Sequence, residues 1–453
     1  MPGRPTYPFD VHSRDVWRIA LPASFAFITE PLVGTVDVTV IGRLGDPNLL
    51  GGLVLGAVVF DLIFALAYFL RVGTAGLTAQ SVGARDPHDG LMHLARAVGL
   101  AVVIGLAMIL LSPLVVTLAD HALAPAPGVR SALATYIQVR ILAAPFALTN
   151  YALLGWFYGR AAARTGMALQ IVIHSVNIAA SLLFVFGFGW GVAGVAAAAV
   201  LGGTTAAIIG LVIATRHFGG VHRTLALLHP RELFDAAALA RMFRLSRDVT
   251  IRSLALVFAY AWFAAAGSRA GEVILSANAV LLNILMISGF FLDGIGQAAE
   301  QLCGKSVGAN WRPAFDRALR LSMRWGLVIA VALAAVWFLA GAAFIDFLTT
   351  SPDVRETAYR YLPFAACASL TGMPAFVLDG VLIGATLNRV MRNGMLVAVA
   401  IYLGAAFILE RLLGNAGLWL ALHVFFVSRA VLYWIAVGRN RHGLFAAPAS
   451  DPA

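Results

Sequence analysis

The sequence predicts an all-α protein that crosses a membrane twelve times, and three observations carry that reading. Of the 453 residues, 60% are apolar and only 12% are charged, whereas a soluble domain carries about 25% charged residues. Twelve separate stretches approach the roughly 20 apolar residues that a spanning helix needs. No ten-residue alternation of barrel type occurs, and only helices and closed barrels satisfy every backbone group in lipid.

In chain order the spans are expected at 16–42, 48–70, 92–118, 131–158, 165–187, 191–215, 248–268, 273–300, 325–348, 357–384, 395–410 and 417–438. The first follows a polar, Pro-rich start and shows no cleavable signal peptide. The stretch "AVGLAVVIGLAMILLSPLVVTLA" of the third and the whole of the sixth ("GVAGVAAAAVLGGTTAAIIGLVIAT") are uncharged. Basic residues fix the orientation. The N-terminus (Arg4, Arg14, Arg18), the even loops and the C-terminal end hold 22 lysines and arginines, against six in the odd loops. By the positive-inside rule both termini are expected to be cytoplasmic, and the expected location is the cell (inner) membrane. The same distribution argues against reading the net charge of +10 as a nucleic-acid surface.

Six spans precede the longest connection and six follow it. The expected division is an N-lobe at 1–215, a cytoplasmic linker at 216–247, a C-lobe at 248–441 and a tail at 442–453. Within the linker, "ELFDAAALARMFRLSR" places apolar residues at helical spacing with arginines between them, which suggests an amphipathic helix on the inner leaflet. "SVGA" occurs at 81–84 and again at 306–309, an offset of 225. The same offset takes Gly42 to Gly267, Tyr136 to Tyr361 and Gly159 to Gly384. An even number of spans per half makes such repeats parallel, an arrangement common in secondary transporters.

Ionisable residues inside spans are costly and point to function. Span one holds Glu30 and Asp37, two helical turns apart and so on one face. Asp61 and Arg71 lie in span two, Arg140 and Asn150 in span four, and His174 and Asn177 share a face of span five. The second half adds Asp248, Arg252, Asn278, Asn283, Asp293, Glu300, Asp379 and Arg429. Arg71, Asp248, Arg252 and Arg429, nearer the cytoplasmic ends, suit snorkelling or structural pairing. Asn278 and Asn283 suit interhelical hydrogen bonds, and Glu300 suits a span end. Enzyme signatures are missing: there is no HExxH, no Gly-rich phosphate loop followed by Lys, and the single lysine is Lys305. Cys303 and Cys367 form no metal-ligand or disulfide spacing. No catalytic residue, metal site or cofactor is expected.

Several longer stretches together resemble the MATE (multidrug and toxic compound extrusion) family, in its DinF branch. They are "PLVGTVDVTVIG" in span one, "FLRVGTAGLTAQSVGAR" ending span two, "RDVTIRSL" opening span seven, "FLDGIGQAAE" in span eight, "LDGVLIGAT" and "MRNGM" around spans ten and eleven, and "GNAGLWLAL" opening span twelve. The resemblance implies a V-shaped pair of six-helix lobes that open alternately to each side. It implies export of lipophilic, often cationic, small molecules against inward H⁺ or Na⁺, by a monomer surrounded by membrane lipids, with no nucleic acid involved. The family's span-one aspartate falls on Asp37, and its helix-bending proline falls on Pro22, with Pro31 a second candidate. Its asparagine falls on Asn177. Its partner aspartate falls on Ser181 and its threonine near Ala199, so this chain lacks one carboxylate of the family's cation site. Glu30 and His174 are titratable additions.

A Na⁺ site needs several fixed oxygens and enough charge to offset dehydration, whereas a proton needs one suitable carboxyl. H⁺ coupling through Asp37 is therefore expected, with little Na⁺ dependence. The C-lobe acids Asp293 and Asp379 are the residues that could still make a separate Na⁺ site. The substrate-cavity candidates are Asp293, Asp379, Asn278, Asn283, Tyr136 and Arg252. Rival readings are a lipid-linked precursor flippase, a membrane-embedded lipid-modifying enzyme, and a non-transporting sensor or scaffold.

Overall fold

The structure, a computed structural model, describes residues 5–445. Arg4 and positions 446–453 of the expected tail lie outside the described residues. Span one is α1 (Ser13–Gly42), and Pro22 and Pro31 sit inside this one unbroken helix. Span two is α2 (Pro47–Ala67) and, after Tyr68, α3 (Phe69–Gly83). Span three is α4 (Pro87–Leu110), followed past Leu111 by α5 (Ser112–Leu123). Span four is α6 (Pro127–Arg140), a 3₁₀ turn Ile141–Ala143, and α7 (Ala144–Gly159). Span five is α8 (Ala163–Leu182), closing in a π-helical turn Leu183–Gly187, and span six is α9 (Gly191–His217). Two short helices follow, α10 (Val221–Leu227) and α11 (Pro230–Leu233). Spans seven to twelve are α12 (Ala236–Arg269), α13 (Glu272–Gly308), α14 (Arg312–Leu348), α15 (Pro352–Gly384), α16 (Asn388–Leu413) and α17 (Asn415–Asn440).

Local chemistry explains the boundaries. Asp46 and Asp86 cap α2 and α4 by accepting from the backbone N–H groups of Asn48 and Asp89. The interruptions at Leu111 and at 141–143 each precede a proline, Pro113 and Pro145, which cannot donate into the preceding turn. Among the described residues there is no strand, and twelve helices or interrupted helices are long and apolar enough to cross a membrane. Several overrun the apolar stretches that marked them: α13 and α14 each have 37 residues, and α16 has 26 where 395–410 was expected. Hydropathy marks only the lipid-facing length, and polar turns continue the helix beyond it. Glu300 is accordingly no span end, because α13 runs on to Gly308. Leu110, Leu339 and Phe347 are among the many large apolar side chains left exposed, a surface suited to acyl chains.

From Ala236 the amphipathic stretch of the linker is helical and continues without a break into span seven as α12. Before it, α11 is fastened to α4: the Arg96 guanidinium donates to the Glu232 carbonyl oxygen at 2.7 Å, and His88 Nε2 lies 2.6 Å from the Glu232 carboxylate.

The described chain divides into two compact units. One comprises the described residues of Met1–Phe25, Ala79–Arg85 and Arg247–Ala453, and the other Ala26–Thr78 and Asp86–Ser246. In the first, Phe263, Tyr402, Trp419 and Phe425 anchor a buried apolar core. In the second, Phe60, Leu133, Tyr136, Ile137 and Val195 do the same.

The 225-residue repeat has a structural counterpart in close helix contacts. In one unit, Gly155 of α7 lies so close to the Arg71 carbonyl oxygen that a Cβ would not fit. In the other, Gly380 of α15 meets the Gly296 carbonyl oxygen in the same way, and both positions are shifted by 225. The repeated "SVGA" segments touch each other: Gly83 packs on the Lys305 carbonyl oxygen and Gly308 on that of Gln80. These two contacts also exchange under the same offset. Only a residue without a Cβ lets the backbones come this near.

Candidate functional site

Asp37 is buried, with 5% of its surface exposed, in the last third of α1. Opposite it, Asn177 and Ser181 lie one turn apart on α8, both buried. The Ser181 hydroxyl is 3.3 Å from Asp37 Oδ1 and 3.2 Å from Asn177 Oδ1. Gly202 of α9 backs Asn177: a Cβ there would stand 3.3 Å from the Asn177 Cβ and 2.7 Å from the Ile173 carbonyl oxygen. Small residues thus seat α9 on α8 and hold the asparagine in place. The π-helical turn begins two residues beyond Ser181, and such turns are frequent at functional sites.

The hydrogen inventory of this trio is instructive. A serine has one hydroxyl proton, while the Asp37 and Asn177 oxygens that face it are both acceptors in this amide orientation. Ser181 can donate to only one of them at a time. Both contacts become good together when Asp37 itself carries a proton and donates to Ser181 Oγ, which frees the serine proton for Asn177.

Further charged groups lie in the same unit. Arg140 of α6 donates to the Tyr136 hydroxyl at 2.8 Å, with its guanidinium 5.2 Å from the Phe60 ring centroid. Its charge acts on Asp37 and on Asp61 of α2. Arg71 of α3 lies over the rings of Phe27 (4.8 Å), Tyr68 (4.7 Å) and Tyr158 (5.6 Å), stabilised by their negative faces. Glu30 is grouped electrostatically with Arg71 and Asp61 rather than with Asp37. Three carboxyls and two guanidiniums make a set with one negative charge in excess when all are ionised. One proton brings it to neutrality.

The other expected residues fall elsewhere. His174 is half-buried on α8, its Nε2 buried without a hydrogen-bond partner, and it makes no bond to the trio. Ala199 is half-buried and offers no hydroxyl where the family has a threonine. Tyr136 is fully buried and occupied by Arg140. In the other unit, Asp379 of α15 accepts through Oδ2 from both Arg252 of α12 and Arg429 of α17. Asn278 and Asn415 exchange two amide hydrogen bonds of 2.8 and 3.0 Å, and Trp419 donates to Asn278 at 2.9 Å. Asn283 is exposed and bonds back to the Ala279 carbonyl oxygen at 2.9 Å, while Asp293 is exposed. Asp248 pairs with Arg392 at 2.6 Å. Pairing, not snorkelling, therefore accounts for Asp248, Arg252 and Arg429; the last is 1% exposed.

That the Arg140 charge acts on both Asp37 and Asp61 was not foreseen from the sequence. The available signal was the spacing of small residues Gly52 and Gly56 on α2, which permits close approach to α6.

Comparison with known proteins accords with this architecture. A sequence profile of the family described as MatE matches residues 22–183 and again 250–409, once in each half. The chain is 34% identical over 420 residues to DNA damage-inducible protein F of Escherichia coli (strain K12), spanning 92% of this chain and 90% of that protein. It is 20% identical over 397 residues to Multidrug export protein MepA of Staphylococcus aureus (strain bovine RF122 / ET3-1), spanning 86% of each. In structure it resembles a MATE in the bent conformation, with a TM-score of 0.86 at 18% identity over 95% of this chain and 96% of that one. The straight conformation of a MATE gives 0.86 at 19% identity, with the same coverage. These two likenesses speak to the fold. With both halves matched and a relative aligned along nearly its whole length, this chain belongs to the MatE family of membrane transporters and is not an enzyme.

Proposed function

We propose that the protein is a secondary active exporter of lipophilic, often cationic, small molecules in the cell (inner) membrane, with both termini cytoplasmic. It works as a monomer by antiport against H⁺, with Asp37 as the coupling carboxyl. Multidrug export is named for the Staphylococcus aureus relative, and its extension to this chain is part of the proposal. The observation that carries the ion assignment is the trio of Asp37, Ser181 and Asn177. It holds one carboxylate, one hydroxyl and one carboxamide, with contacts of 3.3 and 3.2 Å about the serine oxygen. Dehydrating Na⁺ calls for several hard oxygens and compensating charge, and a lone carboxylate supplies little of either. A proton needs one carboxyl and a hydroxyl to receive its hydrogen bond, both of which are present.

In this mechanism Asp37 is protonated from the outside and becomes neutral. Span one then favours a form bent at Pro22 or Pro31, where the ladder already lacks a donor. The bend displaces the substrate outward, and loss of the proton to the cytoplasm resets the helix. The C-lobe acid Asp379 favours this reading over a separate Na⁺ site, because its Oδ2 is already engaged by two guanidiniums.

The test uses full-length protein in proteoliposomes loaded with a dye cation. Efflux is measured under an imposed pH gradient without Na⁺, and separately under a Na⁺ gradient at equal pH. Efflux is expected in the first arm and not in the second, and Asp37→Asn should abolish the first while the protein remains folded. Transport driven by Na⁺ alone overturns the ion assignment. Undiminished export by Asp37→Asn at equal expression removes Asp37 from the coupling role.

A further inference from the structure

Arg140 stands out among the charged groups within the spans. A guanidinium at bilayer depth is costly and is normally paired. Yet Arg140 makes no ion pair among the described residues; it donates to a neutral tyrosine, and its Nε is buried with no hydrogen-bond partner. Its position follows from how α2 and α6 pack. A Cβ on Gly52 would stand 2.8 Å from the Ala132 carbonyl carbon, and one on Gly56 would stand 2.8 Å from Tyr136 Cε1. One turn further, Phe60 lies under the Arg140 guanidinium at 5.2 Å. The contacts advance by four residues on both helices, so the two run in the same direction in register. That register delivers Arg140 to the residue beside Asp61, and the Arg140 charge acts on both Asp61 and Asp37.

We propose that Arg140 is the exchangeable counter-cation of the coupling site: it pairs with Asp37 when that carboxyl is ionised and turns to Asp61 when Asp37 takes up a proton. This rests on Asp37 being the coupling carboxyl. Arg140 is a positioning residue, and Asp61 is its resting partner. Together they do the work of the second acid that this chain replaces with Ser181. Tyr136, one helical turn before Arg140 on α6, accepts from the guanidinium and itself feels the charges of both Asp37 and Asp61. Of the other titratable groups nearby, Glu30, Arg71, Tyr68 and Tyr151 sit with Asp61 and keep one cation on that side throughout the exchange, while His174 lies on α8 one turn from Asn177. The arrangement ties proton uptake on span one to a side-chain movement between spans two and four.

The experiment titrates the infrared band of the protonated carboxyl in purified full-length protein, assigned to Asp37 by its loss in Asp37→Asn. Removing the cation in Arg140→Gln takes away what favours the ionised carboxyl, so the midpoint should rise by about one pH unit. Removing the competing acid in Asp61→Asn leaves Arg140 with Asp37, so the midpoint should fall by a similar amount. Arg140→Lys should stay close to wild type. General damage to the fold would not move two variants in opposite directions. Asp61 is exposed, so its variant gives a reading even if Arg140→Gln fails to fold. If the band titrates but the two midpoints stay fixed or shift together, the Arg140 proposal alone is overturned. If no titrating band disappears in Asp37→Asn, the coupling role of Asp37 falls and this proposal falls with it.

Discussion

Replacing Asp379 with asparagine should be among the most destabilising single changes at a charged site in this protein. Its Oδ2 receives both Arg252 and Arg429. Arg429 is 1% exposed, and Asp379 is its ion-pair partner among the described residues; its other neighbours are the Phe376 and Tyr433 rings at 5.4 and 5.7 Å. The substitution keeps an acceptor oxygen but removes the charge, leaving Arg429 buried beside a second guanidinium, that of Arg252. Breaking a buried pair by removing one partner costs about 3–5 kcal/mol. The retained carboxamide oxygen places the expected loss toward the lower end, about 3 kcal/mol. Denaturant-driven unfolding of purified protein in detergent reads this directly. A double variant, Asp379→Asn with Arg429→Met, removes the deeper of the two guanidiniums and leaves the more accessible Arg252, so it should recover part of the loss, because apolar replacement of a buried pair is often neutral. The cycle of two singles and the double isolates the coupling. A loss below about 1 kcal/mol in Asp379→Asn, or a double variant less stable than either single, would refute the assignment of this cluster as a buried, mutually dependent ion set.

Other consequences can be checked alongside. Pro22→Ala and Pro31→Ala restore a backbone donor to α1 and should slow turnover while leaving substrate binding intact; equilibrium binding and efflux rate measured side by side decide it. Gly380→Ala sets a methyl group against the Gly296 carbonyl oxygen and within 3.1 Å of the Glu300 backbone nitrogen. It should lower stability by about 1–3 kcal/mol through forced separation of α13 and α15, and Gly155→Ala should behave alike at the equivalent contact of the other unit. Asn278→Leu removes the amide pair with Asn415 and the acceptor for Trp419. It should cost about 1–3 kcal/mol for the donors left unsatisfied, with the pH profile of efflux unchanged; a shifted profile would instead give Asn278 a part in transport.

The sequence alone determined the twelve spans, because lipid admits few backbone solutions and roughly twenty apolar residues leave an unmistakable signature. It also marked Asp37, since a carboxylate amid "PLVGTVDVTVIG" has no inexpensive structural explanation. The repeat offset of 225 was legible in "SVGA", and its physical cause is the pairwise close approach of Gly83 and Gly308 to facing backbone carbonyls. Tertiary structure decided which charges keep company. Glu30 shares a helical face with Asp37 by spacing, yet its charged neighbours are Arg71 and Asp61. His174 shares a face with Asn177 but makes no bond to the carboxyl site. Arg252 and Arg429, read from sequence as end-of-span residues suited to snorkelling or pairing, turn inward to a single carboxylate, 127 and 50 residues away along the chain. Periodicity fixes the direction of a side chain around its own helix. Which other helix stands there depends on where small residues let backbones close up, as at Gly52, Gly56 and Gly202. A long-range electrostatic set such as Asp37, Asp61 and Arg140 exists only once those contacts have formed.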